Sequence, residues 1–348
     1  VSSAVIAVVG PTASGKSELA VDIAKKFGGE IISADSRQIY KGLDIGTGKI
    51  SGRWTSENGE KKFLYKGIPH YLVDEINPKK DSSAGEFKKR AEEIIDDIHG
   101  RGLMPIVVGG TNFWIDALLQ GTILPDVLPN KKLRRALERK TAADLFRMLK
   151  KLDPRRAKSI DPKNPRRLIR AIEIAQALGQ VPRIKRSPGY RTLWIGINLP
   201  MDALKANIKK RAAHMIARGL LAETKSLLAK KIPRKRIRTL GLEYALSLDM
   251  LEGKREKKTF TPSLKFRQPQ SVPSGTGEHT VLESNVSSPA SSRRQKNQSK
   301  FSAGFASALA ARDLRYVKKQ LAWLKKNPDI RWIKTKDDAF DAARTFLE

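Results

Sequence analysis

Hydrophobic positions in the first third of the chain alternate between two periods. Val5 to Val9 is an unbroken apolar run, the pattern of a short strand covered on both faces. From Lys16 to Phe27 the apolar residues Leu19, Ala20, Ile23, Ala24 and Phe27 return at helical spacing. Glu30 to Ser33 reads as a second strand, followed by a polar loop through Tyr40. A glycine-rich stretch with Trp54 and Phe63 then reads as loop or short strands. Ser83-x-x-Glu86 is a capping box, and Phe87, Ala91, Ile94, Ile95 and Ile98 behind it share one helix face. Leu103 to Val108 is a further apolar strand, ending in Gly109-Gly110-Thr111. Strands alternating with helices predict a parallel sheet flanked by helices, an α/β class. In such sheets ligands sit beyond the carboxyl ends of the strands.

The pattern turns helical and basic over residues 123–185. There Asn164 and Pro165 read as N-cap and first helical residue, and Gly179 as the stop. Leu168, Ile169, Ile172 and Ala175 form the buried face. Thr192 to Leu199 reads as a strand returning to the sheet. Asp202 reads as the cap of a helix with Leu204, Ile208, Ala212, Met215 and Ile216 inward, stopping at Gly219. The expected organisation is an α/β core from 1–122 and 186–254 with a mostly helical lobe, 123–185, inserted in it. Residues 255–302 lose apolar periodicity and are rich in Ser, Pro, Gln and Thr, which predicts a disordered insertion. A helix near Ala303 through Trp323 and a short strand over Ile330 to Ile333 bring 303–348 back to the core.

Charge adds a second signal. The 348 residues carry 68 Lys and Arg against 36 Asp and Glu, a net charge of +32. Such an excess favours a polyanionic partner, nucleic acid before a membrane surface. Cysteine is absent, which excludes disulfides and thiolate chemistry. His70, His99, His214 and His279 lack metal-ligand spacing. No transmembrane run and no basic-then-apolar leader stand out, so the expectation is a cytoplasmic protein without membrane contact.

Gly10-Pro11-Thr12-Ala13-Ser14-Gly15-Lys16-Ser17 fits the phosphate-loop pattern at every fixed position, between a strand and a helix. Backbone N–H groups and the helix N-terminus offer a site for a di- or triphosphate. Lys16 adds a cation, and the Ser17 hydroxyl can ligate Mg²⁺. The core is therefore read as P-loop NTPase-like. Yet the apolar strand ending in Gly109-Gly110-Thr111 carries no Walker-B carboxylate. The nearest acid behind a strand is Asp35, placed to take a proton from a nucleophile.

The loop Gly10 to Ser17, the stretch Asp35 to Lys49 and the stretch Val107 to Gly121 together resemble the tRNA dimethylallyltransferases (tRNA isopentenyltransferases). The resemblance continues over Asp153 to Ile174, over Arg211-x-x-x-Met215-x-x-x-Gly219 with Glu223, and over Tyr316 to Trp323. It covers nearly the whole chain outside 255–302. It implies transfer of the dimethylallyl group from dimethylallyl diphosphate to the N6 amine of adenosine 37 of tRNA, with Mg²⁺ as cofactor. The loop would hold the diphosphate, with Arg211 joining it. Asp35 would be general base, and Thr111 would hydrogen-bond near the reacting centre. Contacts to the tRNA anticodon stem-loop would come from Asp35, Ser36, Arg37, Gln38, Thr111, Arg134, Arg166, Arg167, Arg170, Arg238, Gly241, Lys318, Lys319, Gln320, Trp323 and Lys325. The resemblance implies a monomer. At Gly241-Leu242-Glu243-Tyr244 the chain departs from the family's Gly-Tyr-Lys/Arg pattern, placing an acid where phosphate was expected.

Bland alternatives stand beside these roles. Thr111 can be a structural turn, Arg166, Arg167 and Arg170 a solvated helix face, and Trp323 core. Three competing functions remain at this stage: an isopentenyltransferase acting on free AMP or ATP, a small-molecule P-loop kinase, and a catalytically idle RNA binder.

Overall fold

The computed structural model describes residues 3–57, 59–253 and 289–348. Eight strands form one sheet in the order β3-β4-β5-β2-β6-β1-β7-β8. Along the chain run β1 (Ala4–Val9), α1 (Lys16–Phe27), β2 (Gly29–Ser33), β3 (Arg53–Glu57), β4 (Glu60–Tyr65), β5 (Ile68–Tyr71), α2 (Ala84–Gly100), β6 (Met104–Gly109) and α3 (Asn112–Leu119). Then follow α4 (Lys131–Leu137), α5 (Ala142–Leu152), α6 (Pro154–Ala157), α7 (Pro165–Leu178), β7 (Arg191–Ile197), α8 (Met201–Ala217) and α9 (Leu220–Ala229). The chain ends with α10 (Arg234–Leu240), α11 (Leu242–Leu251), α12 (Pro289–Leu324), β8 (Ile330–Ile333) and α13 (Lys336–Leu347).

The continuous apolar runs are the parallel centre of this sheet. β1 pairs in parallel with β6 and β7, and β2 with β6 and β5. Burial on both faces explains why these strands show no alternation. α1 lays Leu19, Ala20, Ile23 and Ala24 against Ile6, Val8, Ile31 and Ile106, with Ala339 and Ala343 of α13 in the same cluster. Each fully buried Leu or Ile side chain there contributes about 1.5–3 kcal/mol. Gly28 stops α1 in the left-handed region, φ 65°, returning its N–H to the Ala24 carbonyl. α2 opens with the expected Ser83–Glu86 capping box and buries Phe87, Ala91, Ile95 and Ile98. The glycine-rich stretch forms the antiparallel β3–β4 pair at one sheet edge.

Two units separate, residues 1–115 with 190–348 and residues 116–189. Within the second, α4 to α7 enclose their own core of Leu137, Leu145, Leu149, Leu168 and Ile172. Asn164 caps α7 through its side chain, Pro165 follows, and Gly179 stops it.

Three expectations change. Pro200, not Asp202, precedes α8; Asp202 lies inside its first turn and accepts from Lys205 Nζ at 2.9 Å. An acid there still complements the helix dipole, which is why it resembles a cap in sequence. Second, α12 begins at Pro289 rather than near Ala303. Proline suits a first helical position, and the Arg, Gln and Lys that follow are good helix formers despite being polar all round. The rest of the expected disordered insertion, 255–288, lies outside the described residues. Third, the residues after β8, for which the sequence suggested no further element, form α13, opened by a capping box at Thr335 and Asp338.

Candidate functional site

The sheet delivers β1, β2 and β6 side by side, so the segments leaving their carboxyl ends are neighbours. After β1 the chain turns through Gly10–Gly15 and enters α1 at Lys16. Gly15 sits at φ 87° at the helix N-cap, a conformation only glycine adopts without strain. Ala13 is also left-handed, φ 64°, and non-glycine strain of this kind concentrates at functional sites. Asn207 of α8 supports the turn by donating to the Ala13 carbonyl at 3.2 Å. The Ser14 hydroxyl is buried and has no hydrogen-bond partner among the described residues, an unmet demand that an anion's oxygen would satisfy. Lys16 Nζ donates to the Pro11 carbonyl at 3.3 Å. Burial lowers its pKa to about 8, Asp35 opposing the shift and Arg211 adding to it.

Facing the loop are the ends of β2 and β6. Thr111 N–H donates to the Ala34 carbonyl at 3.3 Å, and Ser36 N–H donates to Thr111 Oγ1 at 3.0 Å. A Cβ at Gly109 would lie 2.2 Å from the Ala34 carbonyl oxygen, so this junction closes only with glycine. Asp35 Oδ1 accepts from Arg37 N–H at 2.9 Å and Gln38 N–H at 3.3 Å. That turn fixes the carboxylate while using one of its two oxygens. Thr111 therefore both builds a structural turn and braces the segment carrying Asp35.

Arg211 reaches in from α8. It donates to Asp313 Oδ2 at 2.7 Å, to Glu243 Oε1 at 3.5 Å and to the Thr47 carbonyl at 3.4 Å. Burial pushes both carboxyls up, while Arg211 pulls each back down. Glu243, the departure from the family pattern, thus pairs with Arg211 instead of facing phosphate. Its partners aim the guanidinium and leave N–H donors over, since an arginine offers five.

The other expected RNA contacts fall into three groups. Arg166 and Arg167 are exposed on α7, Lys318, Lys319 and Trp323 are exposed on α12, and Lys325 is exposed in the turn just after it. Arg134 and Arg170 instead converge on Glu173, which is 2% exposed: Arg134 Nη2 at 2.7 Å and Arg170 Nη1 at 2.5 Å. Burial alone would raise that carboxyl, but the bonds from Arg134 and Arg170 hold it below the usual range. Arg238 is similarly engaged with Asp249 and Glu252, and Arg37 with the Thr239 carbonyl. Gly241 lies in extended backbone between α10 and α11. Gln320 differs from the rest: 3% exposed, its side chain meets the phosphate loop. It follows Val317 and precedes Leu324 on the buried side of α12.

Sequence reasoning gave Glu223 no role. Its carboxylate accepts from the N–H groups of Asp44, Ile45 and Gly46 at 2.8–2.9 Å and from the Tyr244 hydroxyl at 2.6 Å. It thereby anchors the loop whose Thr47 carbonyl meets Arg211. Its place in the stretch that resembles the family was the hint the sequence offered. Among the described residues no cluster of three or more His, Asp or Glu could hold a metal, and no helix could cross a membrane.

A phosphate loop on β1, opposite a turn-held carboxylate on β2, defines a P-loop-like α/β protein built for group transfer. The chain belongs to the IPP transferase family, whose profile matches residues 38–270. An isopentenyl transferase profile also matches residues 3–60. The tRNA dimethylallyltransferase of Thermomicrobium roseum is 39% identical over 72% of this chain and 75% of its own. That of a Roseiflexus species is 43% identical over 64% and 72%. Among solved structures, the tRNA isopentenylpyrophosphate transferase of Staphylococcus epidermidis matches with a TM-score of 0.59 at 29% identity, over 99% of this chain and 98% of that one.

Proposed function

We propose that this chain transfers the dimethylallyl group from dimethylallyl diphosphate to N6 of adenosine 37 in tRNA. The observation that carries the mechanism is the pairing of a phosphate loop with Asp35, where a kinase-type site would need a Walker-B acid. The C–O bond to diphosphate breaks, the N6–C bond forms, and the N6 proton passes to Asp35. Adenine N6 is a weak nucleophile, so proton removal as the bond forms lowers the barrier. Negative charge grows on the departing diphosphate. Loop N–H groups, the Ser14 hydroxyl, Lys16 and Arg211 are arranged to stabilise it. The Ser17 hydroxyl, half-buried in the first turn of α1, would hold Mg²⁺ together with diphosphate oxygens. An all-oxygen set with few protein ligands suits this ion. When bound it supplies charge neutralisation on the leaving group.

The net charge of +32 favours a polynucleotide acceptor over free AMP. The exposed lysines of α12 and the exposed Arg166 and Arg167 of α7 are the proposed tRNA contacts, made to the anticodon stem-loop. A tRNA acceptor places the work in the cytoplasm, and a single chain carries every proposed catalytic group, as a monomer requires. The test is incubation with Mg²⁺, dimethylallyl diphosphate and unmodified tRNA, then mass spectrometry of the nucleosides. Dimethylallyl-adenosine from tRNA supports the proposal. Product from AMP alone would make it an adenylate prenyltransferase, and ATP-dependent phosphorylation a kinase.

A further inference from the structure

Helix α12 presents two chemically different faces within three residues. Lys318 and Lys319 stand in solvent, whereas the next residue, Gln320, is 3% exposed. Its side-chain oxygen accepts from Thr12 N–H at 3.0 Å, and its amide donates to the Gly110 carbonyl at 2.8 Å. Its own main-chain carbonyl accepts from Asn112 Nδ2 at 3.2 Å. One side chain thus bridges the diphosphate loop and the turn that leads into Thr111. The fit is tight. A Cβ on Gly110 would lie 2.7 Å from Gln320 Nε2 and 3.7 Å from Lys16 Cε. Thr12 N–H is itself one of the loop's donors, so whether it points at Gln320 or at a phosphate oxygen depends on where α12 sits. Hydrogen bonds weaken steeply with misalignment, and a buried amide left unpaired is costly. A small displacement of the helix therefore has a discrete consequence at the loop.

We propose that Gln320 is the positioning residue through which RNA bound on the outer face of α12 changes the loop's affinity for diphosphate. By reciprocity, diphosphate in the loop changes RNA affinity by the same factor. The inference rests on the proposed RNA contact of Lys318 and Lys319.

The experiment uses the full chain, an anticodon stem-loop RNA and inorganic diphosphate with Mg²⁺ as the probe. Diphosphate affinity is measured by calorimetry with and without saturating RNA. Wild type is expected to show a difference of about fivefold or more. Gln320→Met keeps the volume but loses both bonds, so its two affinities converge while RNA affinity is retained. Gln320→Glu keeps the acceptor for Thr12 N–H, loses the bond to Gly110 and adds a charge. It is expected to bind diphosphate more weakly in both states with a reduced ratio, and it serves if the Met variant does not fold. An undiminished ratio in either variant, or no difference in wild type with RNA bound, overturns the inference alone. Failure of the wild type to bind RNA overturns the RNA reading, and the inference with it.

Discussion

Arginines pair with acids in both units, yet Arg170 in one and Arg211 in the other show two different uses of the pairing. In the helical unit Arg134 and Arg170 close over Glu173, which also accepts the Asn130 N–H at 2.7 Å. Their charge is spent on holding α7 to the segment before α4. In the α/β unit Arg211 is also paired with acids, but it stands close enough to Lys16 to lower that residue's pKa. There the carboxylates aim a cation at an anion site. An ion pair is thus a fastening in one setting and a positioning device in the other. What decides is whether the pair stands near an anion site, as Arg211 does near Lys16.

The sharpest way to probe this contrast is at Asp35. Asp35→Asn keeps the Oδ1 acceptor that holds Arg37 and Gln38, but it cannot take a proton. Turnover is expected to fall about 10²–10⁴-fold, with tRNA affinity unchanged in a filter-binding assay. Unchanged turnover would remove the general base. Next comes Glu173→Gln, which leaves two arginines around a neutral amide. Breaking a fully buried pair costs about 3–5 kcal/mol. Because both arginines are about a third exposed, a loss of about 2–3 kcal/mol in urea unfolding is expected after screening. Turnover of the folded variant should remain, and a catalytic defect without loss of stability would reverse the assignment.

A smaller effect is expected from pH. Lys16 has a pKa lowered to about 8 in the free site, and a bound diphosphate favours its charged form. The diphosphate-bound pKa therefore lies higher. Affinity should be full below pH 8 and fall by up to about tenfold per unit above it, until the bound-state pKa is reached. Lys16→Ala should flatten that profile, and a profile unaltered by the substitution would exclude Lys16 as its source. The smallest effects separate the arginines of α7. Arg167→Ala should weaken tRNA binding and reduce its salt slope by about 1, without changing stability. Arg170→Ala should do mainly the reverse. Matching binding curves for wild type and Arg167→Ala would make that face merely solvated.

The parallel sheet was legible because its buried strands are continuous apolar runs, and α1, α2 and α7 because caps and periodicity agree. The β3–β4 pair was read only as loop or short strands, since Arg53–Glu57 and Glu60–Tyr65 mix charges with aromatics and bury little. In the site, the loop and Asp35 followed from local spacing. Their supports did not. Asp313 meets Arg211 across 102 residues, and Gln320 meets Thr12 across 308. Contacts of that separation leave no periodic trace. The pairing of Arg134 and Arg170 was hidden for a related reason: positive charge is visible in sequence, whereas its neutralisation by a buried acid, here Glu173 on α7, is not.

The most direct measurement of the central claim counts two products of one reaction. With tRNA, dimethylallyl diphosphate and Mg²⁺ present and ATP absent, released diphosphate and dimethylallyl-adenosine should appear in equal amounts. Both should form about 10²–10⁴-fold more slowly, still in equal amounts, in Asp35→Asn. Diphosphate release without modified adenosine, or modification that depends on ATP, would contradict prenyl transfer as the work of this site.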